Sequence, residues 1–360
     1  MNEYFSSTYV EARARFLTAA RGAGADLSAH VQTLRGPVGE ELATDVAWLG
    51  PENAESVLVM SSATHGVEGF CGSAVQTAWL EDGATHLRPQ HVAVLLIHAV
   101  NPYGFAWLRR VNEDNVDLNR NWVDFTQPPP VNAGYDHLRD SICPRDWNAA
   151  TLARTEAELQ AYAAQHGDRG LQAAITGGQW CDPSGVFYGG QSPAWSRRTM
   201  TSVLTERLDR ARHVAILDFH TGLGPYGYCE RILPAAPRDP SIARAAAWFG
   251  VGNTHPGAEA STSAVVQGDN LTGAARLLPN ADVTAMALEF GVAPLWTMLN
   301  AVRADCWLHT HGALDSDLAK IIKSQLKAAF CADDPVWEGM VLGQSLSSCR
   351  QALIALSGQQ

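Results

Sequence analysis

The sequence is short of the features that staple or anchor a chain. Its 7 cysteines, Cys71, Cys143, Cys181, Cys229, Cys306, Cys331 and Cys349, are scattered over 360 residues and never spaced as C-x-x-C. An odd, dispersed set argues against a disulfide framework and against a cysteine-rich zinc site. No apolar run approaches the roughly 18 residues of a membrane span, so no membrane partner is expected. The opening stretch "MNEYFSSTYVEARARF" carries Glu3 and Glu11 and lacks the apolar core of a secretory signal. These absences together read as a cytoplasmic protein. Basic residues are the minority, 26 against 37 acidic ones, for a formal net charge of -11 and a pI of about 5.5. Such a chain is poorly suited to phosphate backbones, so nucleic acid is not an expected partner. "GGQSPAW" (189–195) has no phosphate-loop lysine. There is no internal repeat, low-complexity tract or linker, so residues 1–360 read as one domain, with homo-oligomerisation left open.

What is present is a series of buried-strand patterns. Residues 57–63, 91–100, 213–219 and 283–290 are near-continuous apolar runs. Strands of that kind are covered on both faces by helices, which predicts an α/β protein with a largely parallel or mixed central sheet. Residues 8–34, 72–81 and 148–175 read as helix, as do 317–330 and 345–356 near the C-terminus. The stretch from about 124 to 200 is otherwise irregular. It holds a Pro-rich loop (124–136) and a Gly-, Pro- and aromatic-rich segment (176–196), and loops of this type often line a site.

The chemistry sits where the runs end. The first run stops on His65 and Glu68, the second on "NPYGF" (101–105), the third on His220 and the fourth on Glu289. In open α/β sheets the carboxyl ends of the strands are where ligands bind. A lone His-x-x-Glu is as well explained by a solvated turn. With His220 it becomes a two-histidine, one-carboxylate set, the pattern of a catalytic zinc with an open position, although another divalent ion such as ferrous iron would also fit. Glu289 suits a general base beside a metal-activated water, or a partner for an arginine or a helix N-terminus. The run "LRRVNEDNVDLNRNW" (108–122) packs Arg109, Arg110 and Arg120 among four asparagines and three acids. It could be a surface loop. It also has what a carboxylate pocket needs, since arginine offers a planar fork and asparagine a neutral donor.

These motifs, in this order from about Ser61 to Gly291, resemble zinc carboxypeptidases of the M14 type. The spelling "SSATHGVEGFCGS" with "HTGLGPYG" is similar to a bacterial branch of that superfamily, the DUF2817 group. The resemblance implies a three-layer αβα fold with a mixed central sheet of about eight strands. It implies one Zn2+ per chain on His65, Glu68 and His220, with Glu289 activating water. It further implies Arg110 as the residue that polarises the scissile carbonyl, with Arg109 its close rival. Asn119 and Arg120 match the pair that binds a substrate carboxylate, and Asp117 matches an acid that orients the first zinc histidine. Digestive-type members carry a tyrosine about twenty residues before the catalytic glutamate. None occurs here between Tyr228 and Glu289, which makes Tyr188 the candidate substrate cap and Tyr226 a weaker one.

The expected activity is hydrolysis of an amide in a carboxylate-bearing peptide or peptide-like substrate. An N-acyl amino acid deacylase with the same site is the alternative, and a non-catalytic carboxylate-binding protein is the reading from another class. Other polar residues read as structural. His309 and His311 look like part of a helix start, Cys71 a packing residue, His98 and His213 core or edge histidines. Asp218, two residues before His220, fits either an orienting role or a core hydrogen bond.

Overall fold

The computed structural model describes residues 3–82 and 84–359. Among these, eight strands form one mixed sheet: β1 (Asp26–Arg35), β2 (Glu41–Leu49), β3 (Ser56–Ser61), β4 (Val92–His98), β5 (His213–Tyr226), β6 (Cys229–Ile232), β7 (Asn253–Thr254) and β8 (Asp282–Gly291), in the order β1-β2-β4-β3-β5-β8-β6-β7. The four central strands β4, β3, β5 and β8 are parallel to one another. The β1–β2, β2–β4 and β8–β6 pairs are antiparallel.

The helices follow from the strand sequences. Side chains alternate across a strand, and here both sets are apolar. Leu58, Met60, Leu217, Phe219, Met286 and Leu288 form one core with α1 (Tyr9–Gly22), α2 (Gly69–Glu81), α7 (Pro240–Phe249) and α11 (Pro335–Ser357). Val57, Val59, Val214, Ile216 and Val283 form the opposite core with α6 (Trp195–Arg207) and α8 (Asn270–Arg276). The short α3 (Pro102–Ala106) follows β4. A third cluster joins α4 (Ala133–Ile142), α5 (Ala149–Thr176), α9 (Leu295–His311) and α10 (Asp317–Phe330) around Val67 and Phe187. This is the expected mixed sheet between helical layers. No helix among the described residues is long and apolar enough to cross a membrane.

Several expectations need correction. The helix expected over 8–34 ends at Gly22, and Asp26–Arg35 is a strand. Gly24 at φ 73° turns the chain out of the helix, in a conformation glycine adopts without steric cost. Within the 124–200 stretch α5 is the helix expected over 148–175, while α4 is regular structure that was not expected and begins inside the Pro-rich loop. Gly167 (φ 76°, ψ 162°) breaks α5 into two pieces. His309 and His311 close α9 instead of opening a helix, and His309 Nε2 lies 2.7 Å from Lys323 Nζ beside Asp305. His98 is the core histidine expected, stacked on Phe16 and bonded to Ser73, with burial pushing its pKa down to about 3.

Leu217 has no exposed surface and lies in the middle of the central strand β5. Leu217→Ala should cost about 2–5 kcal/mol of unfolding free energy, the range for an unrelieved core cavity. Denaturant unfolding of the variant beside the wild type measures it.

Candidate metal centre

The parallel register brings the polar strand ends together. Ser61 pairs with Asp218, and His220 pairs with Glu289 on the next strand. Ser61, Asp218, His220 and Glu289 continue the side-chain parity of Val59, Ile216 and Ala287, so they take up that face just beyond its last apolar layer. The chain leaves β3 and makes one 3-10 turn, Gly66–Glu68, before entering α2. That turn is held by backbone bonds from Gly66 N to Arg110 O (3.1 Å) and Val67 N to Arg109 O (2.8 Å). A Cβ on Gly66 would sit 2.0 Å from the Gly104 carbonyl carbon. Glycine is therefore required where "HGVEG" and "NPYGF" pass each other.

His65, Glu68 and His220 each offer a donor atom, all within 4.8 Å of one another, and all three residues are buried. The two histidines are oriented alike. His65 Nε2 lies 3.2 Å from Asp117 Oδ1, and His220 Nε2 lies 2.7 Å from Asp218 Oδ2. Ionised carboxylates only accept, so each Nε2 carries a proton towards its acid, and each ring is turned with Nδ1 towards Glu68. His220 Nδ1 faces Glu68 Oε2 at 3.1 Å. His65 Nδ1 lies 2.8 Å from Glu68 Oε1 but makes no hydrogen bond there, and has no other partner. Two imidazole Nδ1 atoms and a carboxylate converging on one point make a donor set that would fit a divalent cation, with any Nδ1 proton released on binding.

Charge leads to the same place. Burial alone would push the Glu68 carboxyl up, but His65 and His220 outweigh it and hold it below the ordinary range. Burial likewise opposes ionisation of Asp117, which Arg110 and Arg120 overcome, holding it well below the usual value. Asp218 is held low against its burial by His220 and by bonds from Ser61 and Asn270. Burial would lower His220, yet Asp218 and Glu68 raise it well above an ordinary imidazole. Glu289 is pushed up to about 8 by burial, with Glu68 next in effect. Four acids thus surround this site with two arginines, and a divalent cation bound among them would favour release of the Glu289 and His220 protons. The donor set and the unpartnered His65 nitrogen fit zinc.

The other predicted residues are mostly here. Arg110 lines the cleft, contacts Asp117 and reaches to 4.0 Å from Glu68 Oε1. Arg109 turns away to Asp305 (3.1 Å) and Asn115 (2.9 Å). Asn119 and Arg120 also line the cleft. Asn119 Oδ1 accepts from Asn270 N (3.0 Å), and Arg120 Nε donates to Thr176 O (3.1 Å). Burial pushes the Arg120 pKa down to about 10.

Tyr188 is not brought to the site. Its side chain packs with Val116, Leu118 and Trp122 and borders a separate groove beside Gln32 and Glu113. Tyr226 is half-exposed and bonded to Asp334. The neighbour Phe187 lines the cleft instead. Sequence reasoning also missed Asn270, whose Nδ2 reaches Asp218 at 2.7 Å, and Thr64, which donates to the same carboxylate at 2.9 Å. No sequence spacing announces Asn270. Thr64 stands next to His65 and could have been weighed.

The family profile described as "Protein of unknown function (DUF2817)" matches residues 5–344. The chain belongs to the DUF2817 family. Thrombin activatable fibrinolysis inhibitor shares the fold of this DUF2817 chain, with a TM-score of 0.53 and 10% identity over 98% of this chain and 75% of its own. Carboxypeptidase A from Helicoverpa armigera aligns at 12% identity and TM-score 0.46, over 91% of this chain and 74% of its own. Succinylglutamate desuccinylase from Chromobacterium violaceum aligns at 13% identity and TM-score 0.40, over 88% and 73%. No curated protein matches the DUF2817 chain in sequence.

Asp218→Asn should weaken metal binding about 10- to 100-fold, the usual effect of removing a carboxylate behind a ligating histidine. Competition with a chromophoric chelator measures it. His220→Ala should abolish stoichiometric zinc in elemental analysis of the purified protein.

Proposed function

We propose that this DUF2817 protein is a zinc-dependent amide hydrolase of carboxypeptidase type. The observation that carries the reading is the meeting of four elements in one cleft. These are the His65–Glu68–His220 donor set, Glu289 beside it in strand register, Arg110 next to Glu68, and Arg120 with Asn119 on the same wall. When bound, zinc supplies Lewis acidity that lowers the pKa of water and polarises a carbonyl.

The chain's own residues do the rest. Asp117 and Asp218 keep the imidazole protons on Nε2, so both Nδ1 atoms stay available as ligands. Glu289 takes a proton on its carboxylate from the attacking water and later delivers it to the leaving nitrogen. Burial and the Glu68 charge raise its pKa, and a nearby divalent charge would lower it toward a value suited to accepting that proton. Arg110 donates to the oxygen that becomes negative as the carbonyl turns tetrahedral. Arg120 and Asn119 hold a carboxylate on the substrate. The chain acts as a single domain in which α5 and Phe187 help to shape the cleft. The seven unpaired cysteines support a reducing, cytoplasmic setting.

The favoured substrate is a peptide or peptide-like molecule cut next to its free carboxylate. An N-acyl amino acid is the second reading. It is supported by the apolar wall of Leu171, Ile175, Leu295, Met298, Leu299 and Val302, which suits an acyl chain.

Turnover on a panel of N-blocked dipeptides and N-acyl amino acids tests the proposal. Glu289→Gln should keep its zinc and lose activity by about 100-fold or more, the scale of removing a general base. Retained activity in that variant would refute the mechanism. Arg120→Ala should raise KM about 10-fold or more for substrates with a free carboxylate, as expected for losing a charge-assisted bidentate contact. The matching C-terminal amides should be affected far less.

A further inference from the structure

The glycine-rich stretch at 176–196 contributes one side chain that the reaction above leaves without a task. Phe187 is 7% exposed and lines the cleft, and its φ is 54°, a region bulky residues rarely enter. Its ring touches two cations. Arg110 Cζ lies 4.9 Å from the ring centroid and Arg120 Cζ lies 5.6 Å from it. Both are inside the distance at which a guanidinium is attracted to an aromatic face.

The backbone around Phe187 is pinned on both sides. Gln179 N donates to Phe187 O at 3.1 Å, and Asp117 N donates to Tyr188 O at 2.7 Å. Asn121 Nδ2 donates to Gly189 O at 2.8 Å. The loop therefore holds the uncommon conformation, and its outcome is a ring placed against both arginines. The two guanidiniums share one acid, Asp117, which contacts Arg110 and lies 3.9 Å from Arg120 Nη1. A second carboxylate at position 187 would also attract them, but it would occupy their N–H groups. A ring face attracts the charge without taking an N–H, so the donors that Arg110 has not given to Asp117, and that Arg120 has not given to Thr176 O and Asn119 O, stay available to a ligand.

We propose that Phe187 is a positioning residue that holds Arg110 and Arg120 at a fixed separation, one aimed at the scissile carbonyl and the other at the substrate carboxylate. This rests on the roles given to those arginines under the proposed function. An apolar plug would need only volume at this position, whereas a platform needs an aromatic ring.

The test compares Phe187→Leu and Phe187→Tyr with the wild type, all loaded with zinc. For N-blocked dipeptides, Phe187→Leu should lower kcat and raise KM, each about 10-fold, and Phe187→Tyr should stay within about 3-fold, since only the aromatic face carries the attraction. For the C-terminal amides the KM change should vanish and the kcat loss remain. A second readout does not depend on turnover. The Nε–Hε NMR signals of Arg110 and Arg120, assigned with Arg110→Lys and Arg120→Lys, should lose their ring-current shift in Phe187→Leu and keep it in Phe187→Tyr. They should also broaden or move towards mobile-arginine values in the leucine variant. If the signals in Phe187→Leu show both arginines as ordered and placed as before, or if leucine matches tyrosine in kinetics, the proposal is overturned. If the wild type cleaves nothing on the panel while the arginine signals respond as described, the hydrolase reading fails and the positioning role stands.

Discussion

A buried chain of alternating carboxylates and imidazoles runs Asp117–His65–Glu68–His220–Asp218, and most of the surrounding architecture compensates for its charge. Ions removed from water must be paired and hydrogen-bonded, or they protonate. Asp218 receives Ser61, Thr64 and Asn270, while Asp117 receives Arg110. Glu68 receives the backbone N–H of Thr221 at 3.1 Å. Each outer acid is thus supported by neutral donors or an arginine. The middle of the chain sets two imidazole Nδ1 atoms around one carboxylate, and a divalent ion would fit between them. The outer bonds also limit ring rotation, so the ligand geometry is set before an ion arrives.

The sheet supplies this arrangement with little extra machinery. Parallel strands β3, β5 and β8 carry apolar residues on both faces until the last turn of side chains. One face then changes to Ser61, Asp218, His220 and Glu289. Loops that would crowd the turn at residues 65–69 are kept close by glycine, and the Arg109–Arg110 backbone pairs with that turn. The same two neighbouring arginines then diverge, one into the Asp305 network behind α9 and one into the cleft. Their adjacency in sequence says nothing about this division, because both lie in an irregular loop.

What could be read from residues alone follows the physics of burial. The central strands were legible because both faces are apolar, and the grouping of His65, Glu68 and His220 because they interrupt such runs at their ends. β1 was not legible. It is an edge strand with mostly exposed side chains, so its sequence lacks an apolar period, and the preceding helix pattern ran on into it. β2 was hidden by Thr44 and Asp45, buried polar residues satisfied by Ala99 O and Arg13. The aromatic beside the site was placed one residue away, at Tyr188 instead of Phe187. In a loop that turns through positive φ, no period of two or 3.6 indicates which neighbour faces inward. The contact of Asp218 with His220 was visible as a spacing, while its bonds to Ser61, Thr64 and Asn270 needed the folded sheet. Asn270 acts across 52 residues on a different element, beyond any local pattern.

The placement of the donors also bears on the order in which the protein can be made. His220 and Glu68 are 152 residues apart, and β5, which carries His220, lies between β3 and β8 in the sheet. A chain emerging from the ribosome exposes His65 and Glu68 long before their third companion is synthesised. Two donors on one turn would hold an ion weakly, so any loading with metal would have to wait until β5 has docked beside β3. Occupancy of the centre would in this sense report that the most distant pairing in the sheet has been completed, and an ion bound there would fasten the first third of the chain to the middle third.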